Sequence, residues 1–217
     1  MGYSLNLSAD KRAERKLLIT VAEWHIYTLT TSEPANWATT YTSYYTKSGD
    51  VYTPVPSATN APSWASNTYY SAEENREILG KRVENSSIEL NPDVQTSTDI
   101  LGINYTDVNK TQPQQSLDPS FVLGGSALSE YLYNAVIEND IQAYNNFFNI
   151  YIISAFMQDA SQHYKAVMHS GCSIIPSSIG GDAYVAMPID VHLSNNITTG
   201  YVNKLTDDFS FTADVTV

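Results

Sequence analysis

Residues 147–215 read FFNIYIISAFMQDASQHYKAVMHSGCSIIPSSIGGDAYVAMPIDVHLSNNITTGYVNKLTDDFSFTADV. Apolar, aromatic and β-branched runs alternate here with short polar stretches, and turn formers separate them at Gly180-Gly181-Asp182 and Asn195-Asn196. Such runs form strands, because branched and aromatic side chains fit a pleated surface while Gly, Asn and Asp accept the tight backbone of a turn. Their order predicts an antiparallel meander, and with it a mainly β fold.

Working outward, the same grammar holds. KLLITVAE at 16–23 predicts a first strand that extends through His25 and Tyr27, and ILGKRVENSSIELN and the segment from Ile100 to Val108 predict others, with Gly102 at a bulge or kink. One helix stands out in GGSALSEYLYNAVIENDI: Ser126 suits the N-cap, and Leu128, Leu132, Ala135 and Val136 recur at helical spacing beside Tyr131. Gly124-Gly125-Ser126 lacks the Gly-Lys-Ser/Thr of a phosphate loop and predicts a helix start instead. With 217 residues, 42% of them hydrophobic, the chain is long enough for one domain carrying an insertion. The predicted architecture is a β-sandwich or partly closed barrel with one flanking α-helix.

The insertion lies between the first two of these strands. Residues 41–70, YTSYYTKSGDVYTPVPSATNAPSWASNTYY, hold six of the sixteen tyrosines and one of the three tryptophans, among Pro, Ser, Thr and Asn. The expected division is residues 1–28 plus 75–217 as the β domain and 29–74 as a small aromatic-rich surface unit. Within it, Tyr41 to Thr46 and Val51 to Val55 predict a hairpin across Lys47–Asp50, with Tyr41 and Tyr45 on one face and Tyr44 on the other. So short a hairpin needs support, which aromatics clasping Trp37 or Trp64 would supply as a satellite core. The alternative is a glycan platform formed by Trp37, Tyr44, Tyr45, Tyr52, Trp64 and Tyr70.

Charge and chemistry narrow the function. Twenty-three acidic against eleven basic residues give a net charge of −12, unsuited to gripping phosphates. The basic cluster Lys11, Arg12, Arg15 and Lys16 predicts a solvated arm or a contact with an acidic neighbour. Cys172 is the only cysteine and is expected as a small buried residue, without a disulfide. Histidines 25, 163, 169 and 192 match no zinc spacing. The carboxylate pairs Asp207-Asp208, Glu73-Glu74 and Asp99 with Asp107 lie in no apolar stretch, so they predict surface charge. Neither catalytic, cofactor nor metal residues are expected, nor a secretory signal or a membrane span.

The segments KRAERKLLITVAE, LGKRVENSSIELNPDVQTSTDILGINYTDVNKTQPQQSLDP, GSALSEYLYNAVIE and YKAVMHSGCSIIPSSIGGDAYVAMPIDVHLS, in this order, resemble the major tail proteins of tailed phages that infect Firmicutes. The resemblance covers roughly residues 11–27 and 76–212, and rests on the series rather than on a single motif. It implies a structural virion protein: a tail-tube-like β-sandwich with a flanking helix, whose subunits form hexameric rings stacked into the tail tube. The genome and the tape-measure protein would pass through the lumen without specific binding, with tail terminator and baseplate proteins at the tube ends. It places the protein in the phage tail, after assembly in the host cytoplasm. Residues Gln95 to Pro113 are the expected arm reaching a neighbouring subunit, with the basic N-terminal segment second. The insertion departs from the family pattern, in which the first two strands are joined more directly. Two other classes stay open: a tail decoration or receptor-binding module recognising host-surface glycans, and a β-rich hydrolase.

Overall fold

The computed structural model describes residues 3–7, 11–49, 51–55, 62–80, 83, 86–118, 120–145 and 147–214. The strands are β1 (Ser4–Leu5), β2 (Leu18–Thr30), β3 (Tyr44–Ser48), β4 (Val51–Pro54), β5 (Tyr69–Ile78), β6 (Ile88–Glu89), β7 (Pro92–Thr98), β8 (Asn104–Thr111), β9 (Gln114–Leu117), β10 (Phe148–Gln158), β11 (Tyr164–Pro176), β12 (Ile189–His192), β13 (Ile197–Val202) and β14 (Phe211–Ala213). The helices are α1 (Trp37–Thr40) and α2 (Ala127–Glu138). The fold is mainly β and its described strand pairs are antiparallel, and the barrel is not closed. Two compact units emerge: Met1–Glu23 with Arg76–Val217, and Trp24–Asn75.

The larger unit is built on the long pair β10 and β11, with β2 on the far edge of β10. It departs from a simple meander. Strand β12 pairs with β11 over Ser173–Pro176, and β13 does not pair with β12 but returns to β11 over Tyr164–His169. The cause is the length of β11. Four-residue β12 covers only its second half, so the first half keeps a bare edge whose backbone groups β13 satisfies. Between the two partners, Phe148 faces Cys172 and Asn149 faces Ser170, which leaves Gly171 as the extra residue of a bulge, at φ 74. A glycine is needed there because a Cβ disfavours that backbone. The bulge parts the sheet into one limb through β13 and β14 and another through β12, β9 and β6.

One core cluster of this unit gathers Val21, Tyr151, Ile153, Ala166, Val202 and Phe209. Helix α2 buries Leu128, Leu132 and Ala135. Its Ser126 cap accepts from Ser129 N–H at 3.0 Å and donates to Glu77, whose carboxylate also accepts the N–H of Leu128. A carboxylate at this end meets the unpaired N–H groups and the positive end of the helix dipole.

At the centre sits a charge. Glu23 is 5% exposed, yet its Oε2 accepts from Arg76 Nε and Nη2, each at 2.6 Å, and from the Tyr151 hydroxyl at 3.0 Å. Its Oε1 accepts from Asn149 at 2.8 Å. Arg76 also donates to the Phe209 carbonyl at 2.7 Å, with its guanidinium 4.9 Å from the Phe209 ring centre. Removing one partner of such a pair strands the other. Arg76→Met is therefore expected to lower the unfolding free energy by about 3–5 kcal/mol in urea titrations, and Glu23→Leu/Arg76→Met by less than Arg76→Met alone.

The smaller unit contains the hairpin of β3 and β4, with Ser48 opposite Val51 and Lys47 opposite Tyr52. The strand starts later than expected: Tyr41–Ser43 forms a 3-10 turn that follows α1, a short second helix beyond the one expected. Tyr41 therefore does not share a face with Tyr45. It is buried with Trp37, Val55 and Tyr69, against which Tyr44 and Trp64 pack. Trp37 anchors this cluster, with ring centres of Tyr69 at 4.5 Å and Trp64 at 4.9 Å and its indole N–H donated to the Pro62 carbonyl.

Candidate functional site

The segment 95–113 contains most of a hairpin, β7 with β8, that forms a two-stranded sheet of its own. Ile100 and Leu101 belong to its loop and not to a strand, and Gly102, expected at a bulge or kink, is a residue of that turn at φ 77. Val94 faces Val108, Thr96 faces Thr106 and Thr98 faces Asn104, while Gln95 with Asp107 and Ser97 with Tyr105 alternate with them. These pairs point to opposite faces of the ribbon. All of β7 is exposed, as are Ile103, Tyr105 and Val108, and at the tip Ile100 is 101% exposed and Leu101 77%.

The tip is nevertheless ordered by one carboxylate. Asp99 accepts the N–H groups of Leu101 at 2.8 Å and Ile103 at 2.9 Å, and the Tyr105 hydroxyl at 3.2 Å. The Ile103 bond, followed by those from Leu101 and Tyr105, outweighs desolvation and holds the Asp99 pKa below its ordinary 3.8. An isolated two-stranded ribbon is marginal in water, and an apolar tip needs a partner to bury it. Both edges and both faces are open to a further strand or a packed surface within the described residues.

Other sequence candidates disperse. The six residues expected as a glycan platform divide between two faces: Trp37, Tyr44 and Trp64 join the buried cluster, while Tyr45, Tyr52 and Tyr70 lie with Tyr27 on the other side of strands β4, β3, β5 and β2. Tyr27 and His25 were not among them, although alternation from KLLITVAEWHIY puts both on one face. Cys172 is buried, its thiol donates to the His169 carbonyl, and burial pushes its pKa up. His163 pairs with Asp159 at 3.0 Å and stacks on Tyr201, and His169 bonds the Ser194 carbonyl. Asp208 is held by Lys204 and Thr206. Among the described residues no three His, Cys, Asp or Glu side chains converge as for a metal ion. Lys11, Arg12 and Lys16 are exposed, with Lys16 on Glu14.

No protein-family model, curated protein or solved structure matches the chain.

The tip predicts a pH dependence. Because Asp99 has a folded pKa below its unfolded one, its contribution is complete above about pH 4 and fades as pH falls through the lowered value. The protection of the Leu101 and Ile103 amides, taken as exchange relative to the intrinsic rate at each pH, should be lost over that descent, and Asp99→Ala should lack it already at pH 7.

Proposed function

We propose that the chain is a self-assembling structural subunit, forming stacked, hexameric rings of the tail tube of a phage that infects Firmicutes. The observation that carries it is the β7–β8 ribbon: an arm with a bare apolar tip and, among the described residues, two unpaired edges, which neighbouring subunits would cover. A head-to-tail ring joins two different surfaces of each copy and closes only if the rotation does, which suits an arm on one side and a receiving surface on the other. Strand addition along a ribbon edge gives such contacts direction through main-chain hydrogen bonds. The ordered series of segments that resembles the tail tube proteins supports the same role. In a hollow assembly, the net charge of −12 favours a wall that repels phosphates, so that DNA passes without being held. Tail terminator and baseplate proteins would cap the ends, and the tape-measure protein would share the lumen.

The purified chain is expected to form rings or tubes of about 10 nm, the size of a ring of six domains of this length, in negative-stain electron microscopy as concentration rises. Ile100→Asp/Leu101→Asp should abolish them while changing the unfolding free energy by less than about 0.5 kcal/mol, the range for exposed sites. A doubly substituted chain that still assembles normally excludes the ribbon tip as the contact. Replacing residues 31–72 by a short turn should leave assembly intact, since the proposed arm lies outside them.

A further inference from the structure

The smaller unit carries two sets of aromatic rings on opposite faces of the neighbouring strands β4, β3, β5 and β2, and only one set joins the Trp37 cluster. Tyr44 and Tyr69 point into the Trp37 cluster; by strand alternation their neighbours Tyr45 and Tyr70 point the other way. There Tyr27 and Tyr52 stack at 3.9 Å with an interplanar angle of 3°, Tyr45 meets Tyr27 edge-on at 5.0 Å, and Tyr70 meets Tyr52 edge-on at 5.1 Å. His25 stacks beside Tyr27 at 6.1 Å. All five rings are half-buried, holding one another in place while part of each remains in solvent.

We propose that this open face binds a neutral oligosaccharide built of pyranose rings with mainly equatorial hydroxyls. Such a sugar has an apolar face of axial C–H bonds that packs on aromatic carbon, and a rim of hydroxyls that needs donors and acceptors. Tyrosine supplies both, and rings fixed by their neighbours lose little entropy on binding. The phenols cluster as well: burial, then the nearby Tyr45 and Tyr52 phenols, raise the Tyr27 pKa.

Area and charge decide among occupants. Five half-buried rings leave on the order of 400 Å² uncovered at most, from about 200 Å² per aromatic side chain. A stable protein partner buries about 800 Å² on each side; two or three sugar rings fit the smaller figure. On this face the Lys47 ammonium lies 5.1 Å over the Tyr52 ring, and between residues 24 and 75 Glu33, Asp50, Glu73 and Glu74 stand against Lys47 alone, so the unit as a whole offers an acidic sugar no net attraction. The site goes beyond the proposed tube role and does not rest on it, because a dilute, unassembled chain carries the same face.

The test is titration of the full chain, below its assembly concentration, with cellohexaose, N-acetylchitohexaose, maltohexaose and laminarihexaose, followed by NMR of the tyrosine rings and by calorimetry. At least one should bind saturably and shift the Tyr27, Tyr52 and Tyr70 ring signals. Tyr52→Ala and Tyr70→Ala should each weaken it by about tenfold, and Tyr70→Phe, which keeps the ring, by less. Unchanged signals of the Trp37 cluster would show that the variants remain folded. No binding by any of the four up to about 10 mM, the weak limit of specific recognition, overturns the proposal. So does binding that survives both alanine variants, or a Tyr52→Ala effect on self-association with none on sugar.

Discussion

A carboxylate taken out of water constrains the larger unit more than any apolar contact does. Glu23 lies where β2 meets β10, and its ionised form is tolerated only if both oxygens are occupied. Arg76 from β5, Asn149 and Tyr151 from β10 occupy them, and Arg76 in turn fixes the chain at Phe209. Four separate stretches of sequence are thereby held to one geometry. Apolar packing around Tyr151 and Phe209 tolerates small shifts; a buried ion pair with hydrogen bonds on every side does not. The register of β2 against β10 follows, since a slip of one residue would turn Glu23 to the other face.

Much of this was legible in the sequence, in proportion to how local the cause is. The strands of residues 147–215 and the helix from Ser126 follow from side-chain periodicity and capping, which short windows contain. The division of β11 between two partners does not, because it depends on the lengths of strands distant in sequence and on the single positive φ of Gly171. The bond between Glu23 and Arg76 spans 53 residues, so no pattern near either announces it. The same limit explains the hairpin error. Alternation assigned Tyr41 a face as though it were in a strand, but the 3-10 turn after α1 rotates it into the aromatic core.

For the candidate sites, residue type was informative and grouping was not. An unusual density of Tyr and Trp marked residues 41–70 as a place where rings meet. Which rings are core and which are surface is settled by adjacent pairs, Tyr44 with Tyr45 and Tyr69 with Tyr70, each of which sends one ring to either side. The β7–β8 ribbon shows the complementary case: its Val, Thr and Tyr residues have the composition of an ordinary strand pair, and only the structure shows that nothing in the described chain covers them. The smaller unit thus buries one set of its rings around Trp37, while the ribbon's apolar tip stays exposed among the described residues.

That exposed tip is the physical basis of the proposal that the protein is part of an assembly. The most direct measurement is amide hydrogen–deuterium exchange across residues 92–111, compared between dilute chain and the ring or tube fraction. Burial of the ribbon by a neighbouring subunit predicts fast exchange in the dilute chain and strong protection on assembly, greatest from Val94 to Val108. Rings whose ribbon amides exchange as fast as those of the dilute chain would contradict it.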